Sequence, residues 1–345
     1  MSILAKFLRR ARSAPLVSVV VASYNHAPFV QDCLRSALQQ DIDGLEILVT
    51  DDGSTDGTAG QVAALADPRI HLNVFPKNRG ACMALNDAIR RSRGRFIAVL
   101  NSDDLFLPRK LQRQLQYLQQ NPQVGAVFGW PAFIDEQGQP FDDPAHKDHA
   151  VFQQPNRSRH QWLRHLFDQG NALCHPTALL RREVYQTVGL YDPRLAQVPD
   201  LDQWMRVCMR YDIHVLPEPL TAFRIRSGQQ NASAARPEVV RRDAWERASI
   251  LRHYLRLPPE ELLQVFPEFA GQTAGLPEQL ARHALSLCLP FYERFALDAW
   301  FESLPAGGCL DHPDTPGQKL SHGDPSAWQR YIAATGAIDP HRIHR

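Results

Sequence analysis

Two short acidic stretches carry the chemistry of this chain: Asp51-Asp52-Gly53-Ser54-Thr55-Asp56-Gly57 and Asn101-Ser102-Asp103-Asp104. Each directly follows an apolar run, Leu45 to Thr50 in the first case and Phe96 to Leu100 in the second. Such runs, ending in polar turns, read as buried parallel strands, and open α/β sheets bind ligands beyond the carboxyl ends of their strands. Both stretches therefore open onto one crevice. Carboxylates crowded at the rim of an apolar sheet are costly unless something positive neutralises them, and a divalent cation carrying a phosphorylated ligand does so. The expected chemistry is that of a nucleotide-dependent enzyme. Tyr24, at the end of the run Val17 to Ala22, can stack on a nucleobase, and a carboxylate of Asp51 or Asp52 can accept the imide N–H of uracil. The competing reading of Asp51 to Ser54 is a turn and helix cap with no ligand.

The elements that must position these residues follow in order. Val17 to Ala22, Leu45 to Thr50, Ile70 to Phe75 and Phe96 to Leu100 read as strands, with Val124 to Trp130 as a further one. Helices are expected after Pro28, after the first acidic turn with Ser54 or Thr55 as cap, over Ala81 to Arg91, and over Arg109 to Gln120. This alternation describes a mostly parallel, doubly wound sheet flanked by helices. The polar stretch Pro131 to Asn156 reads as a long surface loop, and helical spacing returns at Arg159 to Phe167, Arg181 to Val188 and Asp200 to Arg210. Three parts result: a basic segment over 1–15, a catalytic domain over 16–235, and a helical appendage with a tail over 236–345.

Several blocks in order resemble the family 2 glycosyltransferases of the GT-A fold: Val17 to Asn25, Val49 to Asp56, Asn78-Arg79-Gly80, Leu100 to Asp104, Gly170-Asn171 to His175-Pro176, Arg181 to Tyr185, Val188 to Asp192, and Asp200 to Arg206. The resemblance spans residues 16 to about 233 of this chain. It implies a GT-A sheet and transfer of a sugar, with inversion, from a nucleoside diphosphate, UDP being the expected one, to a saccharide or glycoconjugate of a surface polysaccharide. By the same resemblance Ala22, Tyr24, Asp51, Asp52, Arg79 and Asp103 bind the nucleotide, and Asp104 with Asp103 holds Mg²⁺ or Mn²⁺ on the diphosphate. The resemblance also supplies the turn that lets Asp103 and Asp104 share a ligand, since neighbours in a strand point to opposite faces.

Inversion needs a base for the acceptor hydroxyl, and Asp200 matches the position that supplies it. Asp202 is the next candidate. His175 is expected at the acceptor or the diphosphate or, equally, as a hydrogen-bonded core residue. Arg226 stands where relatives commonly carry His and can grip a diphosphate bidentately. Its Ser-, Gly- and Gln-rich loop through Asn231 and Ser233 reads as a lid. Trp130 and Trp204 are the aromatic residues singled out as platforms for a sugar ring. The chain departs from the family at Asn101, where many relatives have Asp, and at Pro199, where a Glu is common.

Composition removes other classes. Lys plus Arg number 38 against 37 Asp plus Glu, which gives no field for holding nucleic acid. The cysteines at 33, 82, 174, 208, 288 and 309 lack metal-ligand spacing and read as packed thiols of a reducing, cytoplasmic compartment. No run reaches the ~20 apolar residues that span a bilayer. Met1 to Arg12 reads either as a frayed basic terminus or as a short helix resting on an anionic membrane. His146 and His149 read as solvated, His341 and His344 as tail. A nucleotidyltransferase would need a Gly-rich, basic loop after the first strand, which Ser23 to Pro28 lacks, and a dehydrogenase would need G-x-G-x-x-G. The remaining alternative is a non-catalytic GT-A module that binds a glycan or another subunit. Oligomeric state, a homo-oligomer included, is open at this stage.

Overall fold

The computed structural model describes residues 14–141, 151–226 and 237–303. The described elements group into two compact units, one running to Val239 and one from Val240 onward. The basic segment, His146, His149, the loop with Asn231 and Ser233, Cys309 and the final histidines lie outside the described residues.

In the first unit, β1 (Val17–Ser23), β2 (Leu45–Asp51), β3 (Ile70–Val74) and β4 (Phe96–Val99) form the parallel half of one sheet, in the order β3-β2-β1-β4. β1, β2 and β4 are largely buried, mostly with apolar residues. Helix α1 (Val30–Leu38) lays Val30, Cys33, Leu34 and Ala37 on the sheet at helical spacing. Helix α2 (Thr58–Ala63) starts after Gly57, whose left-handed φ of 94° ends the acidic turn; neither Ser54 nor Thr55 is its cap. Helix α3 (Ala81–Arg91) buries Cys82, Ala84, Leu85, Ala88 and Ile89.

The other half adds antiparallel strands to the parallel ones. It contains β5 (Leu105–Phe106), β6 (Val124–Ile134), β7 (Leu179–Arg181) and β8 (Asp212–Arg224), ordered β4-β7-β6-β8-β5. β7 runs antiparallel to both β4 and β6, β5 antiparallel to β8, and β6 parallel to β8, so the sheet is mixed. β8 was not expected from the sequence, because Pro217 and Pro219 interrupt it. Their missing donors are tolerated beside irregular register around Gly129, Trp130 and Pro131 of β6. Trp130 is thus at a bulge inside a strand rather than at its end. Helices α4 (Lys110–Gln120), α5 (Arg159–Asp168), α6 (Arg182–Val188) and α7 (Pro199–Cys208) complete this unit.

The second unit is helical: α8 (Pro237–Leu251), α9 (Pro259–Val265), α10 (Leu276–Ser286) and α11 (Pro290–Ser303). Its interior contains Tyr254, Phe266, Leu280, Phe295 and Ala299, with the Phe266 and Phe269 rings stacked 5.0 Å apart. Among the described residues no cysteine is in a disulfide, four being buried and Cys288 exposed, and no described helix is long and apolar enough to cross a membrane.

At the start of the parallel half, the Gly94 N–H donates to Ser18 Oγ at 2.7 Å, and Ser18 Oγ in turn donates to the buried Glu46 at 2.6 Å. A Cβ on Gly94 would lie 2.5 Å from the Ser18 nitrogen. Gly94→Ala is therefore expected to lower the free energy of unfolding by about 1–3 kcal/mol through overpacking. Urea titration checks this, and an unshifted midpoint would show that the strand ends have room to move.

Candidate active site

The carboxyl ends of β1 and β2 are in register, Ser23 opposite Asp51, and the loops that leave them are tied together. Asp51 is fully buried and its carboxylate accepts the Ser23 hydroxyl at 2.9 Å, the Ser54 N–H at 2.8 Å and the Ser54 hydroxyl at 2.7 Å. Those donors make Asp51 the clasp of the turn, the alternative that stood beside base recognition. Asn25 closes the same junction: its N–H donates to Ser54 Oγ and its side-chain oxygen accepts the Thr55 N–H, both at 2.9 Å. Gly53 has φ 73°, and a Cβ there would sit 2.6 Å from the Lys77 carbonyl carbon. Only glycine permits that approach.

The approach places Asp52 against the turn before α3. Its two oxygens accept the N–H groups of Arg79 at 2.7 Å and Gly80 at 2.9 Å. Burial raises the Asp52 pKa above the ordinary value, against the pull of those donors. The Arg79 guanidinium lies over the Phe75 ring, 5.0 Å from its centre, and Tyr24 is 44% exposed at the rim. Ala22 sits in β1 opposite Thr50.

Beyond β4 the chain turns at once. The Asn101 carbonyl accepts the Asp104 N–H at 3.1 Å and the Cys33 thiol at 3.3 Å. Asp103 and Asp104 are thereby released from strand alternation. Asp104 is 2% exposed, and its oxygens accept the Asn101 side-chain amide and the Arg224 N–H, both at 2.8 Å. Burial and the neighbouring Asp103 charge push its pKa well up. Asp103 stays partly exposed, with His26 Nε2 at 3.8 Å.

His26 is the site residue that the sequence reading missed. Its Nε2 accepts from Arg226 Nη1 at 3.0 Å, since a guanidinium only donates, so its Nδ1–H donates to Ser102 Oγ at 2.7 Å. Burial lowers the His26 pKa, with Arg226 acting in the same direction and Asp103 against it. The only signal in the sequence was a loop histidine directly after Tyr24 and Asn25. The structure thus brings Arg226, Asp103 and the Ser102 turn together across 200 residues of sequence.

A further carboxylate lies at the start of α7. Asp200 lies in its first turn, where Oδ2 accepts the Asn171 amide at 2.7 Å and Oδ1 the Leu201 N–H at 2.8 Å. Asp202 is buried and accepts two bonds from Arg206, at 2.9 and 2.7 Å, in an ion pair within the helix. Arg206 also caps the carbonyls of Val188 and Leu190. Asp202 therefore anchors the segment 188–190 to α7. Trp204 is wholly buried against Phe128, so its ring is core and offers no face to a sugar. Trp130 remains partly exposed and donates to the Gln154 carbonyl at 3.2 Å.

His175 links the turn after β4 to Tyr191. Its Nδ1 is 3.3 Å from Asn101 Oδ1 and its Nε2 3.0 Å from the Tyr191 hydroxyl. Burial lowers its pKa to about 4, so the ring is neutral at pH 7. The Asp200 charge reaches Tyr191 and contributes to raising that phenol's pKa, after burial and Tyr185.

With this geometry in view, residues 18–189 match the family described as glycosyl transferase family 2. The chain belongs to that family. It is 26% identical over 216 residues to an uncharacterized glycosyltransferase, MJ1057, of Methanocaldococcus jannaschii, covering 61% of this chain and 71% of the relative. The fold is similar to that of residues 1–349 of S. aureus TarS solved with UDP-GlcNAc (TM-score 0.55, 18% identity, 83% of this chain and 91% of that one). It is also similar to the mannosyltransferase PcManGT of Pyrobaculum calidifontis solved with GDP-Man and Mn²⁺ (TM-score 0.54, 20% identity, 99% and 89%). This family 2 glycosyltransferase is thus an enzyme of GT-A-like fold with a helical region after it.

Among the described residues no cluster of three or more His, Cys, Asp or Glu forms a protein cage for a metal ion. The donor set does fit a cation shared with a ligand. Asp103 is partly exposed, each Asp104 oxygen has accepted one donor, and the burial and neighbouring Asp103 charge that raise the Asp104 pKa are what a cation would relieve. Mg²⁺ is commonly held by one or two carboxylates plus phosphate oxygens in this way.

The neutral His175 has a measurable consequence. Its pKa is lower in the folded chain than in the unfolded one, so between pH 4 and 6.5 the unfolded chain binds the extra proton. Stability then rises with pH across that window, by as much as about 3 kcal/mol from this group alone. Urea unfolding from pH 4.5 to 7 is expected to show a shallower slope for His175→Gln than for the wild type; parallel slopes contradict a neutral, buried ring.

Proposed function

We propose that this chain transfers a sugar from a nucleoside diphosphate, UDP in the first place, to a hydroxyl of a saccharide or glycoconjugate with inversion at the anomeric carbon. The observation that supports this reading is the chain of hydrogen bonds from Asp104 through Asn101 and His175 to Tyr191, the residue whose phenol also feels the Asp200 charge. In this reading the Asp103–Asp104 pair serves the diphosphate and Asp200 the acceptor. The UDP-GlcNAc of TarS and the GDP-Man of PcManGT support a nucleotide-sugar donor in such a fold.

The roles follow from position. Tyr24 stacks on the base, and Asp52, fixed by Arg79 and Gly80, accepts the base N–H with a remaining lone pair. Asp103 is partly exposed and reaches the ribose or the cation, while Arg226, beside it, meets the diphosphate. Asp104 and Asp103 would hold Mg²⁺ or Mn²⁺, which would supply positive charge to the leaving diphosphate. Asp200 takes the acceptor proton as the acceptor oxygen bonds to the anomeric carbon, and the bond to phosphate breaks with its electron pair on the diphosphate. The amide of Asn171 and the N–H of Leu201 fix the Asp200 carboxylate for that transfer.

Asp200→Asn is expected to lower kcat by about 10²–10⁴-fold while UDP affinity measured by calorimetry stays within about twofold. A parallel loss of UDP binding would remove Asp200 from the role of base.

A further inference from the structure

The hydrogen bonds from Asp104 to Tyr191 have a forced direction. A carboxylate holding a cation is ionised and can only accept, so Asn101 must turn its NH₂ toward Asp104, as the 2.8 Å contact shows. Its Oδ1 then faces His175 Nδ1 at 3.3 Å, and an amide oxygen can only accept. His175 must therefore carry its proton on Nδ1. That leaves Nε2 as an acceptor, which the Tyr191 hydroxyl fills by donating at 3.0 Å. The Tyr191 oxygen has the Tyr185 hydroxyl 3.5 Å away as its own donor. Backbone bonds hold Tyr191 in place: the Asn86 amide donates to its carbonyl at 2.7 Å and accepts its N–H at 3.0 Å.

We propose that Tyr191, His175 and Asn101 form a one-way donor relay that orients the Asp104 carboxylate for a divalent cation, with Asn101 as an obligatory amide rather than a weakened carboxylate. The proposal rests on the reading of Asp104 as cation-binding. It assigns positioning roles: none of the three side chains needs to touch the cation. A carboxylate at 101 could not donate to Asp104 and would place a second negative charge 2.8 Å from it. If charge count alone governed the site, that substitution would tighten cation binding; the relay requires the opposite. Removal of the Tyr191 hydroxyl acts from farther away. It takes away the donor that marks Nε2 as an acceptor, so the other tautomer, with Nδ1 facing a flipped Asn101 amide, is opposed by the Asp104 end of the relay alone. Burial, which keeps the His175 ring neutral, is what makes the tautomer decisive.

Two readouts test this. The first is the tautomer of His175 in full-length protein selectively labelled with ¹⁵N-histidine, its signals assigned by their loss in His175→Gln. The wild type is expected to show a neutral ring protonated at Nδ1, and Tyr191→Phe a shift of the proton toward Nε2. A wild-type ring protonated at Nε2 overturns the relay whatever the site binds. The second is calorimetric titration of Mn²⁺ into protein saturated with UDP, beside UDP titration in EDTA. Asn101→Asp and Tyr191→Phe are each expected to weaken Mn²⁺ binding about tenfold, with affinity for UDP in EDTA unchanged. Unchanged or tighter Mn²⁺ binding in Asn101→Asp overturns the proposal. A wild type that binds no Mn²⁺ with UDP present overturns the cation reading itself and the relay's purpose with it, and is distinguishable from failure of the variants alone.

Discussion

A carboxylate taken out of water must be met by donors or by a cation, and the site is organised by that requirement. Asp51, Asp52 and Asp104 are all nearly inaccessible, at the ends of largely apolar strands. Each is answered by its own set of donors, some from the same turn and some from distant segments. Asp51 is met by the hydroxyls of Ser23 and Ser54, Asp52 by the amides of Arg79 and Gly80, and Asp104 by Asn101 and the Arg224 N–H. The demand of each carboxylate thus fixes where a loop must go.

The differences among the three sort them by role. Asp51 has three donors and is spent on the turn; Asp104 has two donors, a buried position and a charged neighbour, and so retains the strongest demand for a positive partner. Arg224 contributes its backbone N–H to Asp104, while its guanidinium is directed to the carbonyls of Asp103, Asp135 and Glu136. It braces the acidic turn from the end of β8, two residues before Arg226. The chain of hydrogen bonds from this turn to Tyr191 passes through neutral groups, which avoids placing another buried charge beside Asp104.

The parallel half of the sheet was legible because its strands are largely apolar and alternate with helices at regular spacing. β8 was not, because Pro217 and Pro219 are strand breakers unless the partner strand bulges, and the bulge in β6 is a tertiary fact. At the site, residue type and position relative to strand and helix ends pointed to Asp103, Asp104 and Asp200, which lie in the turn after β4 and in the first turn of α7. Asp202 and Trp204 were misplaced toward a ligand: helical spacing carries both into the interior of α7, and the Arg206 four residues on was the available sign of an ion pair. His26 could not be found in this way, since its partners Ser102 and Arg226 are brought to it only by the fold.

The central claim is that carboxylates from separate strand ends converge on one cation-bridged diphosphate with Asp200 on the facing wall. The most direct measurement is a crystal structure with UDP and Mn²⁺, with the cation located by its anomalous scattering. The account predicts one Mn²⁺ peak in contact with Asp104 and the diphosphate, with Asp200 facing the open side where the sugar would extend. A peak remote from Asp104, or UDP bound on another face of the sheet, would contradict it.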